Sequence, residues 1–147
     1  MTIQISWQDC GYVKIYSGHV TGTDMLASIN THAQDSRFRD TRYAINQFLD
    51  DCMLHFTEEE VARLEFIESK LEYAKRKIVL AYVTSDQRII ETLKKVFLVS
   101  PMIIYPNLEM AKSGISQLLR VQSDNTDYSQ VNLAHYYAPS HDVISQA

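Results

Sequence analysis

The densest cluster of side chains able to do chemistry is Asp50-Asp51-Cys52 with His55 three residues on. Thiolate, imidazole and carboxylate are all zinc ligands. Structural zinc sites usually present paired ligands at fixed spacing, and the other cysteine, Cys10, stands far off with no second thiol beside it. The segment therefore reads as an acidic loop with an incidental thiol, and no metal is expected. Thr21-Gly22-Thr23-Asp24 is a second candidate, because the free amides of a helix start can hold an anion. Ordinary N-capping accounts for the same residues without a ligand. His135 and His141 flank Tyr136-Tyr137-Ala138-Pro139-Ser140 and titrate near neutrality, but they fall in a polar stretch that reads as disordered. No hydroxyl or thiol sits in a glycine-flanked nucleophile motif, and Asp50 and Asp51 are neighbours rather than opposed across a cleft. No catalytic residue and no cofactor are assigned, and an enzyme ranks third among the functions considered.

The elements that must position these groups follow from periodicity. Apolar residues alternate with polar ones over 3–7 and again over 12–20, with turn chemistry at Gln8-Asp9-Cys10-Gly11 between them. Thr21 to Asp24 then caps a helix carrying Met25, Leu26, Ile29 and Ala33. A third strand is expected over 43–49. Thr57-Glu58-Glu59-Glu60 has the form in which a cap and the third helical residue satisfy each other's amides, so a helix starts there and runs to about residue 75. Val61, Leu64, Glu68 and Leu71 form its stripe, whereas Phe66 and Tyr73 fall off it and are read as possible partner-facing aromatics. A strand over 77–84 follows, then a helix capped by Ser85-Asp86, a strand over 101–105, and a helix capped by Asn107 that reaches about residue 121.

The order ββαβαβαβα demands parallel pairing through crossovers, with an antiparallel pair at the first connection only. The expected fold is α/β: a mixed, mostly parallel five-stranded sheet with strands added in sequence. Lys14 and Ser17 interrupt strand two, and Asn46 and Gln47 interrupt strand three. A sheet covered on both sides reads apolar throughout, so helices are placed mainly on one face and only the 77–84 strand is expected to be buried on both sides. Tyr12, Tyr16 and Tyr82 are left on a second, partly apolar face, and that face makes a homodimer expected. Residues 1–121 form the domain and 122–147 a tail or covering arm.

Composition bounds the partners. At 147 residues and 46% apolar content the chain can bury one ordinary core. Fourteen basic against eighteen acidic residues leave a net charge of −4, without the excess that neutralises phosphates, so no nucleic-acid partner is expected. The longest apolar run, 78–83, is far too short to span a membrane. The start Met1-Thr2-Ile3-Gln4 lacks signal-peptide character, and with two cysteines a cytoplasmic setting is expected.

This order of elements, together with Gly11-Tyr12-Val13, Tyr16-Ser17-Gly18-His19-Val20-Thr21-Gly22, Asp35-Ser36-Arg37-Phe38, Phe48-Leu49-Asp50 and Thr57-Glu58-Glu59-Glu60-Val61, resembles the SpoIIAA-like family of bacterial STAS-related proteins over roughly residues 3–120. The resemblance implies a β-α superhelix with sequential strands, related to the STAS regulators and in architecture to the CRAL-TRIO lipid carriers. It implies no single activity. STAS antagonists of anti-sigma factors are switched by phosphorylation of a serine after the third strand. Here that stretch, 50–57, holds neither serine nor glycine, and Thr57 stands at the corresponding helix cap.

Two functions follow. The first is a non-enzymatic binding module for an apolar or amphipathic small molecule, possible lipid included, lined by Phe56, Phe66, Ile67, Leu71, Ile90 and Phe97, with transient membrane association. The alternative is a STAS-type regulatory module whose loop, with Asp50, Asp51, His55 and Thr57, docks a protein partner.

Overall fold

The computed structural model describes residues 2–73, 75–96 and 102–123. β1 (Ile3–Gln8) and β2 (Gly11–Tyr16) form an antiparallel hairpin, Gln8 opposite Gly11, whose turn places Cys10 at φ 55°. Gly11 is needed for packing, since a Cβ there would run into the ring of Tyr43. The expected strand 12–20 is broken by Gly18, at φ 65°, which turns the chain out of the main sheet into a short β3 (His19–Thr21). α1 (Gly22–Gln34) follows, then a 3-10 turn Ser36–Asp40, β4 (Tyr43–Phe48), β5 (Met53–His55) and α2 (Glu58–Leu71). β6 (Val79–Val83), α3 (Gln87–Val96), β7 (Met102–Tyr105) and α4 (Leu108–Ser123) complete the described chain.

The main sheet has the order β1-β2-β4-β6-β7, with β1 and β2 antiparallel and every other pair parallel, so strands are added in sequence as the pattern of elements requires. β3 and β5 pair in parallel as a separate two-stranded sheet. Neither short strand, nor the 3-10 turn, is legible in the hydrophobic periodicity.

Three helices cover one face. Met25 and Ile29 of α1, Leu64 of α2, and Ile89, Ile90, Leu93 and Val96 of α3 pack against Tyr12, Tyr16, Ala44, Phe48, Leu80 and Tyr82. Complete burial of a leucine such as Leu64 or Leu93 contributes about 1.5–3 kcal/mol. Among the described residues, α4 alone covers the other face, with Ala111, Ile115 and Leu118 against Val13, Ile45, Val79, Ala81, Val83, Ile103 and Tyr105. Helices thus lie mainly on one face, but the tyrosines do not occupy the opposite one. Tyr12, Tyr16 and Tyr82 are buried beneath α1, α2 and α3, and the reason for expecting a homodimer through an exposed tyrosine face falls with that correction. Lys14 and Asn46 are buried too, on neighbouring strands in register, so their polarity marks an interior site rather than a wet face. β7 joins β6 in being buried at every position, contrary to the expectation that one strand alone would be.

α2 ends earlier than 75 because Glu72 adopts a left-handed conformation, φ 56° and ψ 38°. That turn swings Tyr73 into the core, where it is 2% exposed, whereas continued helical spacing would have left it outside. Phe66 is off the buried stripe as its spacing indicates, at 57% exposure. Phe97, His135 and His141 lie outside the described residues, as does nearly all of 122–147; α4 itself reaches Ser123. Among the described residues no helix is long and apolar enough to cross a membrane.

Candidate functional site

The segment after β4 is built by backbone bonds before any side chain is considered. The Leu49 amide donates to the Tyr16 carbonyl at 2.9 Å, Cys52 to Leu49 at 2.9 Å, and Met53 to Gly18 at 2.8 Å. β3 and β5 then zip together over three residues, His19 with Met53, Val20 with Leu54 and Thr21 with His55. The result is a rim at the carboxyl ends of β2 and β4, where open α/β sheets place their sites. Leu49 (40%) and Met53 (39%) are exposed apolar side chains on either side of the exposed carboxylates Asp50 and Asp51. The rings of His19 and His55 are 8° from parallel, with Nδ1 of His19 2.8 Å from Nε2 of His55.

The metal-capable cluster is taken apart by this arrangement. Cys52 is turned inward at 2% exposure, and burial pushes its thiol up to about 11, which disfavours the thiolate needed to ligate zinc. Among the described residues no group of three or more His, Cys, Asp and Glu side chains is placed to hold a metal ion.

Thr57 is the N-cap of α2. Its Oγ1 accepts from the Glu60 amide at 3.1 Å, and Glu60 Oε1 accepts from the Thr57 amide at 2.9 Å, the reciprocal pair that the sequence foretells. The other oxygen, Oε2, accepts from the amide and hydroxyl of Thr23 at 2.9 and 3.0 Å. One carboxylate therefore caps α2 and holds the first turn of α1. These donors, the Thr57 amide first, keep the Glu60 carboxyl below its ordinary range. Gly22 permits the approach: a Cβ there would lie 2.5 Å from Cβ of Glu60. The anion-binding reading of Thr21 to Thr23 is met in this way by the chain's own glutamate and by Asp24, which completes a second capping box with Thr21.

The residues expected to line an apolar site do not gather in one place. Phe66 and Ile67 line a shallow groove of about 370 Å³ between α1 and α2, with Leu26, Glu59, Ala62 and Arg63. Phe56, Ile67 and Leu71 are partly buried against the core, and Ile90 is enclosed within it at 3% exposure.

A polar cluster that sequence reasoning missed lies under α1 and α2. Lys14 Nζ is 2.6 Å from Nδ1 of His32, and Nε2 of His32 is 3.0 Å from the hydroxyl of Tyr73, which is hydrogen-bonded in turn to Tyr12. The Tyr16 hydroxyl donates to Asn46 Oδ1 at 2.8 Å. Glu68 completes the set from α2, and its Oε2 has no hydrogen-bond partner among the described residues. Burial lowers Lys14 to about 7, partly offset by the charge of Glu68, and raises Glu68 to about 8, partly offset by Lys14. Burial, with the nearby lysine, lowers His32 to about 3, so its ring is neutral and accepts at Nδ1 while donating at Nε2 when the amine donates to it. These groups enclose a cavity of about 10 Å³, room for on the order of one water. The signal was present in part: Glu68 stands on the buried stripe of α2, and an acid on that stripe calls for a cation opposite.

No protein-family model matches the chain, and no curated protein matches it either. Among solved structures it is similar to the anti-sigma factor antagonist SpoIIAA in its unphosphorylated form, at 12% identity over 79% of this chain and 96% of that one, with a TM-score of 0.52. The likeness is one of fold: the five-stranded mixed sheet with four helices is the SpoIIAA, or STAS, architecture.

Proposed function

We propose that this chain, built on the STAS architecture, is a regulatory protein-interaction module that docks a protein partner through residues 49–57. The observation that carries the reading is the pairing of exposed Leu49 and Met53 around Asp50 and Asp51 on a loop whose backbone is already bonded to Tyr16 and Gly18. Apolar side chains presented on a fixed loop are suited to insertion into a partner's pocket, and two carboxylates between them favour a basic rim around it. The fold neighbour's description as an antagonist of an anti-sigma factor accords with a partner-binding role. Both cysteines are free, which accords with a reducing, cytoplasmic setting.

Thr57, at the helix cap that corresponds to the phosphorylated serine of STAS antagonists, is already engaged as the cap of α2 and is followed by Glu58, Glu59 and Glu60. A phosphate there would meet like charge, so we assign recognition to the apolar pair rather than to a modified threonine. A small apolar ligand or lipid remains the second reading, located in the groove of Leu26, Phe66 and Ile67. The test is photo-crosslinking in cells from a reactive side chain at Met53, with one at Ser116 on α4 as control. A single adduct formed from Met53 alone, and lost when Leu49 is changed to Asp, is the expected result. Equal labelling from both sites, or no adduct from Met53, overturns the docking reading.

A further inference from the structure

β1 is an edge strand whose own sequence carries none of the devices that keep sheet edges apart. Ile3-Gln4-Ile5-Ser6-Trp7-Gln8 has no charge, proline or bulge, and among the described residues nothing pairs with its outer side. Which groups face outward is fixed by the hairpin. The Ser17 amide donates to the Thr2 carbonyl at 2.8 Å, so the even-numbered residues of β1 bond to β2 and the odd-numbered ones turn their amides and carbonyls outward. Among the described residues, the hydrogen-bonding groups of β1 without a partner thus belong to Ile3, Ile5 and Trp7. These same residues point their side chains toward α1, into an open groove of about 900 Å³ that α1 overhangs with Ala27, Ser28 and Thr31.

We propose that β1 pairs antiparallel with β1 of a second copy of this chain, about a two-fold axis through Ile5, joining the two sheets edge to edge. A two-fold axis normal to the sheet keeps each face continuous and pairs residues of equal parity. With Ile5 opposite its own mate, Ile3 lies opposite Trp7 of the second copy, and every outward amide and carbonyl of the three residues is used. The opposing side chains form an apolar row, Ile3 with Trp7, Ile5 with Ile5 and Trp7 with Ile3, of the kind that stabilises cross-strand pairs. Gln4 falls opposite Ser6 on the other face.

The charged groups along the groove are already engaged within each copy: Asp24 accepts from the Thr21 amide at one end, and Arg37, 4.7 Å from the centre of the Trp7 ring, is paired with Asp35 at 2.8 Å at the other. The self-complementary apolar row about Ile5 therefore argues for the second copy, and the small side chains of α1 over the groove leave room for its approach.

The test is sedimentation equilibrium of the full chain over about a hundredfold range of concentration. Wild type is expected to move from monomer to dimer, and Ile5→Lys, which sets two ammonium groups on the axis, to stay monomeric with an unchanged circular dichroism spectrum. A wild type that stays monomeric, or a dimer that survives Ile5→Lys, overturns the proposal. A covalent readout fixes the register independently of that variant's folding. With Cys10→Ser as background, Gln4→Cys combined with Ser6→Cys should give a disulfide-linked dimer on mild oxidation, and its absence rules out the Ile5-centred pairing.

Discussion

Lys14 and His32, eighteen residues apart, meet at 2.6 Å inside the layer between the sheet and α1, with Glu68 supplying the opposite charge from α2. An amine, an imidazole and a carboxyl have been taken from water together, and among the described residues Oε2 of Glu68 has no partner to offset its desolvation.

The first prediction is therefore non-additive. Each charge offsets part of the other's burial shift, and with one gone the other can shed its charge, so Lys14→Met and Glu68→Leu alone should each destabilise the fold by about 1–3 kcal/mol, the cost of polar groups left unpaired. The double variant should lose less than the sum of the two. Urea denaturation of the four proteins checks this, and additive single effects would contradict a coupled pair.

Stability should also depend on pH in a way each substitution isolates. Glu68 has its pKa raised from 4.5 to about 8, so the folded state holds an extra proton between those values, and the stability it contributes falls as pH rises from 4.5 to 8. Lys14 is lowered from 10.5 to about 7, so its contribution runs the other way, rising from pH 7 to 10.5. Stability of wild type minus that of Glu68→Gln should therefore shrink from pH 4.5 toward 8. The difference from Lys14→Met should grow from pH 7 toward 10.5. Denaturation midpoints at unit pH intervals give both curves.

At the junction of α1 and α2, Thr57→Ala removes the acceptor for the Glu60 amide and should cost about 1 kcal/mol. Gly22→Ala forces a methyl against Glu60 and should cost about 1–3 kcal/mol. The distinguishing measurement is amide exchange. Thr57→Ala should speed exchange at the start of α2, whereas Gly22→Ala should speed it at Thr23 and Thr57 alike.

Cys10 holds a left-handed backbone in the hairpin turn, φ 55°, where a β-carbon is unfavourable. Cys10→Gly should stabilise the chain by about 0.5–1 kcal/mol net of the added freedom of the unfolded state. Thermal unfolding under reducing conditions reads the effect.

The elements legible in the sequence are those with a sustained period. Met25 and Ile29 announce α1, Leu64 and Glu68 announce α2, and Ile89, Ile90 and Leu93 announce α3, and their alternation with strands dictates the sequential sheet. Strand faces were harder to read, because Tyr12, Lys14 and Tyr16 alternate with Val13 and Ile15, and period alone does not say which row meets the helices. Lysine in a strand ordinarily marks water, and only the tertiary fold supplies His32 and Glu68 to hold it inside. The rim was legible as a loop, and its exposed pair Leu49 and Met53 was not, since exposure there depends on Gly18 breaking the strand and founding the small β3–β5 sheet.

That small sheet bears on how tightly any partner could be held. A loop that orders only on contact gives up its conformational freedom at the moment of association, at about 1–2 kcal/mol for each residue fixed. Here the three pairs between β3 and β5 and the bonds from Leu49 and Met53 have already set the path of the chain. Docking would select a shape that exists beforehand, and differences among partners would then be expressed in how slowly they leave.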